Sequence, residues 1–317
     1  MSNNTHSALF VAEIDTVLPP QLSNDFGKYS HFRKLTQGGK ATLHLAKDTN
    51  LGREVVIKRL RPELKGNRKE LRRLVREARI SAQMQHPGSV PVYEIGRDLD
   101  GDWYFAMKRV EGNSLHEILT GLARNEPEAA RQFSLSRLLD IFLQVCDTLA
   151  YAHACGIIHR DLKPDNVLVG NFGEVILLDW GVAKVWGMPN EGDEDTIRER
   201  GGTPLYMSPE QVLGHRYIDE RSDIFGMGIV LYEMLSLRVP FRGHDLRSTY
   251  DKIINDDPDS LTEDSSRIVP QQLAEICYRA LRKQPRDRYQ SIAQMVNDIE
   301  LFRAEMLVAS LQRFSNP

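Results

Sequence analysis

Eight residues in mid-chain, "HRDLKPDN" (159–166), put the carboxylate of Asp161, the amine of Lys163 and the amide of Asn166 into one short stretch. Side chains of these types can accept a proton, neutralise an anion and bind a hard cation. Thirteen residues past Asn166, "LDWG" sets Asp179 at the end of an apolar run (179 − 166 = 13). Upstream, "VVIK" ends on Lys58, and Glu77 follows among strong helix formers. Downstream, "GTPLYMSPE" ends on Glu210. Taken singly, each has a bland reading: a solvated charged turn, a strand-end cap, a surface lysine, a surface glutamate. Five such stretches in one order, each with fitting local structure, are not a chance collection.

The elements around them are readable. From Tyr29 to Leu60 the runs "YSHFRKL", "TLHLAKD" and "REVVIKRL" alternate and are rich in β-branched residues, which predicts a meander of strands. "NRKELRRLVREARISAQMQ" predicts a helix with Glu70, Leu74, Glu77, Ser81 and Met84 on one stripe, stopped by "HPG". Glu77 thereby points inward, and a buried charge needs a partner. "SVPVYEIGRD" and "DWYFAMKRV" predict a second strand pair about "DLDG". Beyond Gly112 helices take over: "SLHEILTGLARN", a longer "SLSRLLDIFLQVCDTLAYAHACG" capped at Gly156, and "SDIFGMGIVLYEMLS", apolar almost all round and so buried. Short strands are expected in "NVLVG" and "GEVILLDW", and an exposed loop from Gly181 to Gly202. No internal repeat is visible.

The trio "HRDLKPDN … DWG … GTPLYMSPEQ" with "VVIK" and Glu77 resembles a eukaryotic-like (Hanks-type) serine/threonine protein kinase, over roughly Tyr29 to Phe302, and looks most like its bacterial members. The resemblance implies an α+β bilobal fold: residues 1–28 a flexible tail, 29–110 a small lobe of antiparallel sheet plus one helix, 111–302 a larger helical lobe, and 303–317 a tail or helix extension. The hinge would lie near Met107 to Gly112.

Phosphoryl transfer is mostly positioning and electrostatics, so the implied roles divide accordingly. Asp161 would accept the substrate hydroxyl's proton, with Lys163 near the γ-phosphate and the hydroxyl. Lys58 would hold the α- and β-phosphates and pair with Glu77. Asn166 and Asp179 would ligate Mg2+, with Mn2+ as the alternative ion. For ATP the resemblance implies Leu43 and Val56 as the roof of the base, Leu168 as its floor, Met107 as gatekeeper, and Lys108 and Val110 as hinge backbone groups. Arg160 beside the catalytic aspartate implies an anion from the loop after Asp179, and Thr196 is the expected phosphosite, with the carboxylates of "EGDED" as the unmodified alternative. Thr203 is expected at the substrate pocket, and Lys163 with Thr203 marks Ser/Thr rather than Tyr specificity. Glu210 is expected to pair with Arg288, and Asp223 to anchor the catalytic-loop backbone.

The nucleotide loop departs from the family pattern. "LTQGGKATLHL" runs from Leu35 through Thr36, Gly38, Gly39, Lys40 and Ala41 to Leu43, where G-x-G-x-x-G-x-V is expected. Backbone amides approach phosphate oxygens most closely where no Cβ intervenes. Lys40 is expected to compensate by attracting the phosphates.

Composition narrows the alternatives. A net charge of −3 over 317 residues gives no sign of a nucleic-acid partner. Three scattered cysteines suit a reducing cytoplasm, with Cys155 expected as a buried structural thiol and Trp180 as a core packer. No apolar run reaches the ~18 residues of a membrane span. The expected partners are ATP and protein substrates bearing Ser or Thr, with a homodimer suited to autophosphorylation. The competing readings are a pseudokinase or weakly active ATP-binding scaffold, which the degenerate loop suggests, and a small-molecule kinase, which "GTPLYMSPE" opposes. His86 and His153 are expected to be structural. The C-terminal "MVNDIELFRAEMLVASLQRF" is expected as a core-capping helix.

Overall fold

The computed structural model describes residues 25–37, 40–185, 203–262 and 267–315. The N-terminal tail as far as residue 24, Gly38, Gly39 and Thr196 lie outside the described residues. The chain divides into two compact units, one through Ala82 together with Pro91–Arg109, the other Gln83–Val90 together with Val110 onward.

The first unit is a five-stranded antiparallel sheet and a helix. Strands β1 (Tyr29–Gln37), β2 (Ala41–Asp48), β3 (Arg53–Leu60), β4 (Val92–Arg97) and β5 (Trp103–Lys108) lie in the order β1-β2-β3-β5-β4. Side chains on a strand alternate between faces, and β3 uses both. Val55 and Ile57 join Phe26, Tyr29, Ala46, Tyr104 and Ala106 in one apolar cluster. Leu60, of the opposite parity, packs with Phe105 and with Leu74 and Ala78 of helix α1 (Arg68–Gln83). Lys58 and Val56 share that parity, so they project from the face that carries the helix. Asn67 caps α1, its Oδ1 accepting the amides of Lys69 and Glu70 at 3.0 and 3.2 Å. The predicted stripe is buried, Glu70, Leu74, Glu77 and Ser81 within α1 and Met84 just beyond its end, and Ala78 joins it.

In the second unit β6 (Gly112–Ser114), β8 (Val167–Gly170) and β9 (Val175–Leu177) form one antiparallel sheet, and β7 (Ile157–Ile158) pairs with β10 (Lys184–Val185). Helices α2 (Leu115–Ala123), α3 (Pro127–Gln132), α4 (Leu135–Ala154), α5 (Pro209–Leu213), α6 (Arg221–Ser236), α7 (Leu246–Asn255), α8 (Gln271–Ala280) and α9 (Ile292–Ser315) complete it. Fourteen of the sixteen residues of α6 are buried, which makes it the axis of this unit. Helix α8 packs so closely that a Cβ on Gly228 would come within 2.9 Å of the Ala280 Cβ. Helix α4 ends as expected, with Gly156 at φ +73° just past the capping residue. These two units match the expected α+β class: a small sheet-and-helix unit and a mainly helical one.

Three expectations are corrected. Cys155 is exposed, because it is the capping residue at the open end of α4 rather than part of its buried face. The segment after Asp179 is not a loop from its start: Ala183 and Lys184 are buried and β10 pairs with β7. There Lys184 donates its Nζ to the Arg216 carbonyl at 3.2 Å, which lets a lysine be buried. Helix α9 caps the core over only part of its length. Its first turns bury Ile292, Met295, Ile299 and Phe302, but Leu301, Met306, Leu307 and Val308 are exposed.

Candidate active site

The first unit holds one half of the predicted constellation. The Lys58 Nζ donates to both carboxylate oxygens of Glu77, at 2.6 and 2.7 Å. Leu43 lies opposite Lys58 across β2–β3, and Val56 opposite Met107 across β3–β5. Hence one patch of sheet carries Leu43, Val56, Lys58 and Met107. The Lys108 amide donates to the Pro91 carbonyl at 2.9 Å, so that donor is already committed. In the nucleotide-loop segment, Thr36 pairs with Leu43 and Ala41 with Leu60, while Leu35 is exposed. Lys40 has a protein partner that the sequence did not suggest: its Nζ donates to Glu70 Oε1 at 2.9 Å, an oxygen that also accepts from Arg73 at 2.8 Å.

The second unit holds the rest. Asp161 is buried, and both its oxygens are oriented by donors. The Thr203 amide reaches Oδ1 at 3.1 Å, and Lys163 Nζ reaches Oδ2 at 2.9 Å, joined by Asn166 Nδ2 at 3.3 Å. The same Asn166 nitrogen donates to the Asp161 carbonyl at 2.8 Å. Its amide is therefore anchored through nitrogen, which turns the side-chain oxygen the other way. The Leu178 amide donates to the Asn166 carbonyl at 2.8 Å, which brings the next residue, Asp179, beside this loop. A carboxylate and an amide oxygen are the ligand types that Mg2+ takes, so the residues fit that ion. Leu168 stands in β8 between Ser114 and Ile176, and Val110 lies just before β6.

Two residues of this site hold left-handed backbone without being glycine, Arg160 at φ 71° and Asp179 at φ 64°. Such positions cost about 1–3 kcal/mol each and persist only where their surroundings fix them. Asp223 of α6 supplies part of that fixing: Oδ2 accepts the His159 amide and Oδ1 the Arg160 amide, both at 2.8 Å. Burial pushes the Asp223 carboxyl up. The His153 bond at 2.8 Å, with the neighbouring charges and the Arg160 amide, outweighs burial and holds it below the usual aspartate range. His153 is thus structural, as expected, but its role as a partner of Asp223 was not legible. His159 accepts the Asp161 amide at Nδ1 (3.2 Å) and donates from Nε2 to the Leu178 carbonyl (3.0 Å), which selects one tautomer. Its ring meets Trp180 edge-on at 4.6 Å, and Trp180 is fully buried.

Arg288 is buried with every donor used. Nε serves the Arg282 carbonyl at 2.7 Å, Nη1 serves Glu210 Oε1 (2.7 Å) and the Arg221 carbonyl (2.8 Å), and Nη2 serves Glu210 Oε2 (2.8 Å) and the Lys283 carbonyl (2.9 Å). Burial raises the Glu210 carboxyl, but the Arg288 bonds and charge, helped by Ser222, leave it below its ordinary range. This pair ties α5 to the segment before α9.

A sheet-borne lysine–glutamate pair and an oriented aspartate with an asparagine beside it form the constellation of one family. The protein kinase domain family matches residues 29–299, and the chain belongs to it. Among curated relatives, the serine/threonine-protein kinase PknD of Chlamydia pneumoniae is 37% identical over 292 residues, 86% of this chain and 31% of that protein. Its namesake in Chlamydia caviae is 36% identical over 296 residues, again 86% of this chain and 31% of the relative. The chain thus spans about a third of the length of these relatives. No helix among the described residues is long and apolar enough to cross a membrane.

Proposed function

We propose that the chain is an ATP-dependent protein-serine/threonine kinase that transfers the γ-phosphoryl group of ATP to Ser and Thr hydroxyls. The observation that carries this reading is Asp161, a buried carboxylate with donors fixing both oxygens. In the reaction the hydroxyl oxygen forms the new bond to phosphorus, the bond to the ADP oxygen breaks, and the hydroxyl proton passes to Asp161. Lys163 offsets charge beside the transferred group, and Lys58, steadied by Glu77, holds the α- and β-phosphates. Asn166 and Asp179 would hold Mg2+ or Mn2+, which when bound supplies charge neutralisation at the phosphates. Leu43, Val56, Met107 and Leu168 would enclose the adenine, with backbone groups of Lys108 and Val110 at its edge. The segment from Leu35 to Ala41, with Gly38 and Gly39 at its tip, would cover the phosphates. The relatives' names support Ser/Thr specificity.

The reading extends to regulation. Arg160 beside Asp161 makes Thr196 the expected site of autophosphorylation, through a homodimer, in a cytoplasmic setting. The complete set of Lys58, Glu77, Asp161, Asn166 and Asp179 favours an enzyme over an ATP-binding scaffold. Labelled ATP, magnesium and a generic basic protein test the activity, with acid hydrolysis of the product. Phosphoserine or phosphothreonine is expected; label confined to phosphotyrosine, or no transfer, overturns the reading. Mass-spectrometric mapping of active protein tests Thr196: full activity with no phosphate there removes the phosphosite.

A further inference from the structure

The peptide plane joining Arg160 to Asp161 sets the direction in which the Asp161 side chain leaves the backbone. One edge is the Asp161 amide, which donates to His159 Nδ1 at 3.2 Å. The other is the Arg160 carbonyl, which accepts from Gln211 Nε2 of α5 at 2.7 Å. The Arg160 amide is held separately, by Asp223. So the left-handed Arg160 is gripped on its two sides by two different helices, α6 at its N–H and α5 at its C=O. Gln211 is buried, and its amide does two jobs at once. Its Oε1 accepts the Ser208 amide at 3.0 Å, closing the N-terminal cap of α5, while its Nε2 reaches the catalytic loop. Only a side chain that accepts at one atom and donates at the other can do both.

We propose that Gln211 is a positioning residue for phosphoryl transfer, acting through the Arg160 carbonyl to hold Asp161 in its productive direction. This rests on the reading of Asp161 as the proton acceptor. Glutamate would retain the cap, since it is itself a capping-box residue, but would set an oxygen against the Arg160 carbonyl oxygen. Methionine, of similar length, would lose both bonds.

The test is steady-state transfer by Gln211→Glu and Gln211→Met, with thermal melts to confirm folding and Asp161→Asn alongside. For Gln211→Glu at about pH 8 the expected result is a fall in kcat of about tenfold or more, because small misplacements near the chemistry are costly, with the KM for ATP unchanged. Burial opposite a carbonyl raises a carboxyl pKa, and the protonated form can donate to the Arg160 oxygen. The ratio of Gln211→Glu to wild type should therefore recover as pH falls toward about 6, while Gln211→Met stays low. The titratable groups on the segments bonded to this position are His159 and Asp161 on the loop, Asp223 with its partner His153, and Glu210 with Arg288. Taking the ratio to wild type at each pH removes their own titration. A folded Gln211→Glu with kcat within twofold of wild type overturns the proposal, as does a loss that shows no recovery in acid. If the glutamate variant does not fold, Gln211→Met is decisive in the same way: kcat within twofold overturns it, and a fall in kcat at unchanged KM supports it. Full activity in Asp161→Asn would instead overturn the reading of Asp161, whatever Gln211 does.

Discussion

Each unit of the molecule contains a bidentate cation–carboxylate pair that joins residues far apart in the sequence, Lys58–Glu77 in the first and Arg288–Glu210 in the second, and the two are built differently. Lys58 keeps 16% of its side chain accessible beside a buried Glu77, and the pair joins one strand to one helix. Arg288 and Glu210 are closed off, at 0% and 6%, and Arg288 spends its remaining donors on three backbone carbonyls. A lysine presents a point charge on a flexible stem, whereas arginine presents a rigid fork. The same electrostatic attraction thus serves two ends. In the first unit it holds the lysine to which we assign the α- and β-phosphates; in the second it fixes helix α5, whose Gln211 reaches the Arg160 carbonyl.

The contrast breaks first, if it is wrong, at Glu210. Removing it leaves Arg288 buried without its carboxylate, so Glu210→Ala should cost about 3–5 kcal/mol in chemical denaturation. A loss under about 1 kcal/mol would make the pair no more than a surface ion pair. For Glu77→Gln we expect the reverse balance: Lys58 keeps some access to water and glutamine can still accept from it, so stability falls by only about 1–2 kcal/mol, while transfer drops by about tenfold or more because Lys58 is no longer aimed. Melts and initial rates on the same preparation separate the two effects. Acid offers a milder probe. The folded Glu210 carboxyl lies below its ordinary value of 4.5, so its contribution is complete above that value and is lost as pH falls through the folded one. The stability gap between wild type and Glu210→Gln should narrow only below about pH 4.5; a gap that narrows between pH 8 and 6 contradicts the assignment. The smallest effect is expected at Lys40, half exposed on a Glu70 that Arg73 also serves. Lys40→Ala should cost under about 1 kcal/mol and shift the KM for ATP by less than about twofold. A rise of about fivefold would give Lys40 back the phosphate role that the loop sequence suggests.

Where local pattern dominates, the sequence was enough. The stripe through Leu74, Glu77 and Ser81 already turns Glu77 inward, and the family resemblance that "VVIK" helps to carry supplies Lys58 as its partner. Contacts across long separations were not legible. "SPEQ" is readable as a capping box, but nothing in it says that the Gln211 amide reaches a carbonyl 51 residues away. His153 offered no sign of Asp223, 70 residues on. Cys155 misled because a free cysteine is usually buried, whereas its place at a helix end decides its exposure. Lys184 was hidden for the opposite reason, since a charged residue reads as surface until the Arg216 carbonyl that receives it is known.

Acceptance of the hydroxyl proton by Asp161 is the step on which the proposed transfer turns. Single-turnover transfer from labelled ATP to a basic protein, wild type against Asp161→Asn, addresses it most directly. Asparagine preserves the shape of the side chain and removes the proton acceptor. A loss of at least ~100-fold in the rate of transfer is expected, with the fold intact by melting, in line with the usual size of general-base effects. Equal rates from the two proteins would contradict it.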